Sequence, residues 1–564
     1  MPGYGLLSNL SPSLLALSEH ETARFPAVID TLYNYETFLN KVKSQPIASF
    51  EPSQRNARVA VIGAGQAGMV AAYELLRAGL KPVVFEASSR LGGRAWSKTQ
   101  DDAEGAIAEM GAMRFPHTAA FTHYVNEFDL TLSNKFPDPG KVPTLLYYQN
   151  ERFRWEPNAS QPPGIFAQIQ KDWENFLSSL GVDEITACLR NGQYQQAQSH
   201  WQGLITRYKD VSFLTAIVEG IPKWGTKQLG AFGALGIGSG GFGPLYQVCF
   251  LEMLRLIVDG LEYKQQLLLE GISSLPKNFY EKEVLTPDGE HLSLRKLDSI
   301  RWKHEVAALE YLGDSSHRIK LSFADRTIEE EVFDSVIVAT TTRSMEVMGM
   351  TLGNTIKEPV KNGVRKVHMM NSSKMFVFTE DKFWLKDKSL PQNIQTDELV
   401  RGLYCLDYGK QTDKGVLLVS YTWGDDSTKL IAIEPEQRYQ LLYDNIKDIC
   451  PEFAQHIDRD NARVMNVDWQ REPHYYGAFK VDYPGQETYV RDLYYQFQTS
   501  LRKADCISFD TGVYLAGDSV SWQGGWTEGA LQTGINAACA VAHHLGGKVI
   551  EESPLTQNPA SYEY

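Results

Sequence analysis

The sequence predicts an α/β fold, with a parallel-sheet core, a helical insertion and a strand-rich α+β region. Three observations lead there. RVAVIGAGQAGMVAAYELLRAGLKPVVFEASS (58–89) reads as strand, glycine turn, helix, strand. Residues 151–265 carry apolar side chains at spacings of three and four, as in PPGIFAQIQKDWENFLSSL and LYQVCFLEMLRLIVDGL, which is the helical period. Short apolar, β-branched runs follow (KHEVAALEYL, FDSVIVATT, KMFVFT, GVLLVSYTW), and VYLAGDSVSWQGGWTEGALQTGINAACAVAHHLGG repeats strand, turn and helix near the end.

Composition bounds the function. With 564 residues, 43% hydrophobic and 22% charged, the chain is globular and long enough for several domains. A formal charge of −14 argues against nucleic acid and against an anionic membrane surface as partners. The six cysteines (188, 249, 405, 450, 506 and 539) include no CxxC, so neither a zinc ribbon nor a disulfide scaffold is expected. They read as reduced, buried thiols of a cytoplasmic protein. No Arg or Lys precedes Arg24 and the apolar stretch Leu14–Leu17 is short, so no secretory leader is expected. The longest uncharged run, 228–251, holds seven glycines and a proline, poor material for a membrane-spanning helix. The 12 histidines form no HExxH or similar ligand set, and no metal is expected.

In chain order the expected organisation is an N-terminal arm (1–56), a first part of the nucleotide-binding core (57–150), the helical insertion (151–265), a second core part (266–345), an α+β substrate region (346–500), a third core part (501–548) and a polar, extended tail (549–564). In the first core part, Arg58–Ile62 reads as a strand, Met69–Ala78 as a helix ending at Gly79, and Lys81–Glu86 as a second strand. Between strand and helix lies Gly63-Ala64-Gly65-Gln66-Ala67-Gly68, a GxGxxG. Gly63 permits the tight turn, Gly65 lets backbone approach a pyrophosphate, and Gly68 lets helix and strand pack closely. The helix N-terminus supplies free N–H groups and partial positive charge. Glu86 closes the second strand, where an acid suits ribose hydroxyls. The context makes this a Rossmann-like dinucleotide site.

FAD fits better than NAD. Gly92-Gly93-Arg94 follows the acid, and the Arg94 fork suits a pyrophosphate. Gly517-Asp518 follows a late strand, where an acid suits the polyol chain that FAD has and NAD lacks. Taken singly, the first motif is also a surface turn and Asp518 also a helix N-cap; together with the fingerprint they favour FAD.

VIGAGQAGMVAAYELL, FEASSRLGGRAWS, AEMGAMRF and LAGDSVSWQGGWTEGALQT resemble the flavin amine oxidase family over about residues 57–545. Within it, MGAMRFP, FPDPG, LGIGSGGF, LVRGLYCLDY, LLVSYTWGDD, GAFKVDYPG and the terminal ASYEY are most similar to the bacterial L-amino-acid monooxygenases. GDSVSWQGGW, with Asp518 and Trp522, looks more like general amino-acid oxidases and other amino-acid monooxygenases. The resemblance implies an amine-oxidase-like fold and a hydride passed from Cα of an L-amino acid to the flavin, with O₂ as second substrate. A retained imine is oxidatively decarboxylated to an amide one carbon shorter, indole-3-acetamide from tryptophan.

The resemblance also implies roles. Arg114 matches the arginine that binds the substrate carboxylate, and Lys374 the lysine that reaches flavin N5 through water and assists the oxygen reaction. Trp526 matches the aromatic beside the flavin, with Gly525 offering a carbonyl to the amine. Trp469, Phe479 and Tyr421 match aromatic wall positions. Glu109 and Met113 flank Arg114 on its loop near the flavin, and Val306 matches a backbone contact to adenine. The expected activity is an FAD-dependent L-amino-acid 2-monooxygenase acting on tryptophan or phenylalanine. Its rivals are an L-amino-acid oxidase releasing keto acid, ammonia and H₂O₂, and a flavin-bearing binding subunit without turnover. A homodimer or higher homo-oligomer is expected.

Overall fold

The computed structural model describes residues 27–99, 105–157, 159–235, 241–313, 318–408, 412–501, 510–557 and 562–564. The fingerprint region forms β1 (Val59–Ile62), α1 (Gln66–Arg77) and β2 (Val83–Glu86). All four side chains of β1 are buried, as expected of a parallel strand covered on both faces. Helix α1 starts at Gln66, three residues before the expected Met69. The third glycine therefore lies inside the helix, where packing requires it: a Cβ on Gly68 would stand 2.0 Å from the Gly63 carbonyl oxygen. Gly63 itself has φ +102°, a left-handed conformation natural to glycine.

Five parallel strands build the nucleotide-binding sheet in the order Ile300–Trp302, β2, β1, Ser335–Val338, Val513–Leu515. They come from three separated stretches of chain, since long insertions leave and re-enter the domain. A second, seven-stranded sheet runs Arg463–Asp468, Ser372–Thr379, Gly415–Trp423, Gly402–Leu406, Asn393–Thr396, Thr144–Tyr148, Glu151–Trp155. Its neighbours are antiparallel except Asn393–Thr396 against Thr144–Tyr148. The division expected at residue 150 falls inside this sheet, in the hairpin joining its last two strands. Local pattern identified the strands KMFVFT and GVLLVSYTW of this sheet, but the pairing of Thr144–Tyr148 with residues some 250 positions away carries no local signal.

The insertion is helical: Ile165–Ser179, Val182–Arg190, Tyr194–Tyr208, Phe213–Gly220, Thr226–Ala234 and α2 (Phe250–Val258). These helices share an aromatic core around Trp173, Trp201, Phe213 and Phe250. The C-terminal helix α3 (Thr527–His544) is buried along nearly its whole length and packs on α1. Among the described residues no helix is long and apolar enough to cross a membrane.

Both ends depart from expectation. Of the N-terminal arm, residues 1–26 lie outside the described residues, but the remainder is part of the core. Tyr35, Phe38, Leu39 and Val42 on the helix Tyr35–Val42 are buried, and Ala48–Ser49 pairs with Lys548–Val549. The tail is not extended into solvent: Tyr564 stacks on Trp522 at 4.9 Å and donates its hydroxyl to Asp30. Apolar faces on both segments find cover only once distant parts of the chain fold back. Residues 236–240 of LGIGSGGF, residues 560 and 561 of ASYEY, and Cys506 lie outside the described residues. The other five cysteines are free and buried.

Candidate active site

A long cavity, about 1410 Å³ of space between protein atoms and partly open to solvent, follows the C-terminal edge of the parallel sheet. At one end stand Glu86 and Val306; the middle is floored by Gly63, Gly65 and Gly93; the far end is walled by Lys374, Trp469, Phe479 and Trp526. Glu86 is oriented by three donors. Its Oε2 accepts from Ala64 N at 2.8 Å, and its Oε1 accepts from Ser88 N at 2.9 Å and Ser88 Oγ at 2.7 Å.

The trough fits a dinucleotide on its own geometry. A Cβ on Gly93 would lie 3.1 Å from Gly65 Cα, so only bare backbone leaves a passage there. Helix α1 has no side-chain cap, and buried Gln66 Nε2 at its first turn has no hydrogen-bond partner. Uncapped N–H groups and an unsatisfied donor suit an anionic pyrophosphate.

Arg94 and Asp518 line this cavity but engage each other. Both Nη atoms of Arg94 bond to the Asp518 carboxylate, Nη1 at 3.0 Å, and Nη1 also donates to Ala478 O at 2.8 Å. Asp518 further accepts from Gly525 N at 3.1 Å. The fork expected for a pyrophosphate is thus closed on an acid, and the acid expected for a polyol anchors the turn before α3. Gly517, at φ +128°, starts that turn.

At the far end a second chamber opens off the first through Tyr421, Phe479, Gly525 and Trp526. Its remaining wall is largely apolar: Met113, Leu245, Val248, Met253, Leu256, Trp423 and Val481. Arg114 lines the chamber beside Met113, with its guanidinium 5.5 Å from the Trp526 ring centroid. It is not an empty clamp. Nη1 and Nη2 bind Glu262 at 2.7 and 3.3 Å, both partners being buried. Burial pushes the Glu262 carboxyl up to about 7 against the opposing effect of Arg114.

Strand pairing places Lys374 opposite Tyr421, with Nζ 4.7 Å from that ring. Nζ donates to the Glu109 carbonyl oxygen at 3.0 Å and to Gly111 O. Burial lowers its pKa to about 7, and the charge on Arg114 adds to this while Glu109 opposes it. The Glu109 carboxylate, raised to about 7 by burial, is held by Ser97 Oγ at 2.7 Å and Ile272 N at 2.8 Å. Trp469 is fixed by Nε1 donating to Met110 O at 3.0 Å and by edge contacts with Trp96 and Tyr475. Phe479 packs edge-on to Trp423 at 5.2 Å.

The structure thus brings Lys374, Tyr421, Trp469, Phe479, Gly525 and Trp526 to the trough, with Arg114 and Met113 lining only the second chamber. Sequence reasoning missed Glu262, Trp423, Tyr475 and Glu252. Glu262 lies 148 positions from Arg114, and no spacing or motif relates the two.

A dinucleotide trough that ends on a buried lysine and opens into a largely apolar, aromatic chamber carrying an arginine defines the class, a flavin-dependent oxidoreductase. Comparison with known proteins sharpens this. The model for flavin containing amine oxidoreductase matches residues 66–542. The tryptophan 2-monooxygenase of Pseudomonas savastanoi is 39% identical over 95% of this chain and 98% of its own, and that of Pantoea agglomerans pv. gypsophilae is 40% identical over the same shares. Among solved structures, a putrescine oxidase variant superposes with TM-score 0.66 at 17% identity, covering 86% of this chain and 98% of that one. Cyclohexylamine oxidase from Brevibacterium oxydans gives 0.62 at 18%, covering 87% and 99%. The chain belongs to the flavin containing amine oxidoreductase family, and its cofactor is FAD.

Proposed function

We propose that this chain is an FAD-dependent L-amino-acid 2-monooxygenase that takes tryptophan or phenylalanine, with O₂, to the corresponding amide, CO₂ and water. The observation that carries the reading is the join between trough and chamber, where a buried arginine and lysine meet aromatic walls. The names of the two full-length relatives agree with it.

Gly63, Gly65, Gly93 and Glu86 would hold FAD in the trough, and FAD would supply the two-electron acceptor for the substrate Cα–H and the route of those electrons to O₂. The protein's own residues do the rest. Arg114 takes the α-carboxylate on its planar fork, which requires Glu262 to share or release it. Gly525 presents a carbonyl to the amine. Phe479, Trp469, Tyr421 and Trp526 exclude water and restrict Cα to one approach. Lys374, near its titration point, holds or gives up a proton at Nζ during the oxygen reaction. A chamber that keeps the imine inside favours decarboxylation to the amide over hydrolysis to a keto acid. We further place the enzyme in the cytoplasm as a homodimer or larger homo-oligomer, which sedimentation of the purified protein tests.

The decisive assay mixes the yellow protein anaerobically with L-tryptophan and L-phenylalanine, follows flavin absorbance, then admits O₂ and weighs the product. Bleaching followed by an amide is expected. A keto acid with H₂O₂ would assign an oxidase, and no bleaching by any amino acid would discard catalysis.

A further inference from the structure

Glu252 is a buried acid that the proposed mechanism does not use, yet it lines the second chamber. It sits in the first turn of α2, and the same chamber is lined by Leu245, Val248, Leu256 and Val481. Its two oxygens are treated differently. Oε2 accepts from Arg255 Nη1 at 3.0 Å. Oε1 stands 4.0 Å from Lys480 Nζ, beyond hydrogen-bond distance. That ammonium is engaged elsewhere, by Asp482 Oδ2 at 2.6 Å and Ser521 O at 2.9 Å. Arg255 is in turn held by Asp30 and Glu487, so Glu252 is braced from behind.

A substrate whose carboxylate meets Arg114 and whose Cα faces the trough must send its side chain along the apolar chamber that both share. We propose that Glu252 accepts the ring N–H of an indole side chain and so sets a preference for tryptophan over phenylalanine. This rests on the amino-acid monooxygenase reading above. A polar group built to meet a donor discriminates against an isostere lacking it more sharply than an apolar pocket discriminates by size. Burial and the neighbouring Asp482 raise the Glu252 pKa, but a protonated carboxyl oxygen still carries lone pairs.

The test compares L-tryptophan with L-3-(benzothiophen-3-yl)alanine, which replaces the ring N–H by sulfur at nearly the same shape. In wild-type holoenzyme, anaerobic flavin reduction is expected to be at least about tenfold less efficient with the sulfur analogue. Glu252→Met should bring that ratio close to one, whereas Glu252→Gln, which keeps a carbonyl acceptor, should retain most of it. Because the ratio is taken within each protein, a general loss of activity cancels. Equal efficiency of the two substrates in wild type, or an unchanged ratio in Glu252→Met, overturns the assignment while leaving the monooxygenase reading intact. No reduction by any amino acid removes both. Should Glu252→Met fail to fold, Glu252→Asp, which withdraws the acceptor by one methylene, takes its place, and an unchanged ratio there overturns the assignment.

Discussion

Arg255 and Lys374 are both buried cations, handled in opposite ways. Arg255 lies in a knot of carboxylates: Nε meets Asp30 at 2.8 Å, Nη1 meets Glu252 at 3.0 Å and Nη2 meets Glu487. Although burial opposes it, these acids hold its pKa well above the ordinary arginine value. Lys374 has no carboxylate at ion-pair distance among the described residues, and its ammonium leans on two backbone carbonyls. Burial leaves it titrating near 7. A compensated charge is fixed and serves structure, whereas an uncompensated one is poised to move a proton.

The largest expected effect breaks this contrast if it fails. Arg255→Met should cost about 3–5 kcal/mol in urea unfolding, because it strands two acids from distant segments and one on its own helix. Lys374→Met should cost nothing or stabilise. The sign follows from linkage. The folded-state pKa of Lys374 is lowered from 10.5 to about 7, so the unfolded chain binds more protons between those values and wild-type stability rises with pH across that window. The variant lacks that contribution, and its gain is greatest at and below pH 7. Equal destabilisation by the two substitutions would erase the distinction.

Next in size, Lys374→Met should slow reoxidation by O₂ roughly a hundredfold while slowing anaerobic reduction less. The wild-type reoxidation rate should fall above about pH 7 as the ammonium loses its charge, and the variant's profile should be flat. Stopped-flow traces in which reduction suffers more would sink the assignment. The smallest effects concern the clamp. Arg114→Ala should retain FAD and weaken substrate binding tenfold to a hundredfold, about 1.5–3 kcal/mol. Glu262→Gln, by removing a competing carboxylate, should tighten binding a few-fold. Weaker binding in Glu262→Gln would show that Glu262 orients Arg114 rather than competing for it.

The trough was legible in the sequence and much of the chamber was not. Gly63, Gly65, Gly68 and Glu86 announce the dinucleotide site because turn, helix start and acid lie within one short stretch. Arg114, Lys374 and Trp526 were reached through resemblance, and the structure gathers them around the join of trough and chamber. Their partners escaped: Glu262 against Arg114, the Arg94–Asp518 fork, and Glu252 held from behind by Arg255. The first two are contacts between segments far apart in the chain; the third lies within one helix, but a lone Glu in a helix more often faces water. The boundary at residue 150 failed for the same reason, since strand pairing leaves no mark on either strand alone.

By itself, then, the order of residues determined a βαβ nucleotide-binding unit and the helical character of the insertion. These depend on turn chemistry and periodicity, which act over a few residues. Only the tertiary structure decided which charges are compensated, which rings wall the chamber and where a side chain would point. Burial and register are set by long-range return of the chain, as when pairing places Lys374 opposite Tyr421, and they determine whether a buried amine keeps its proton.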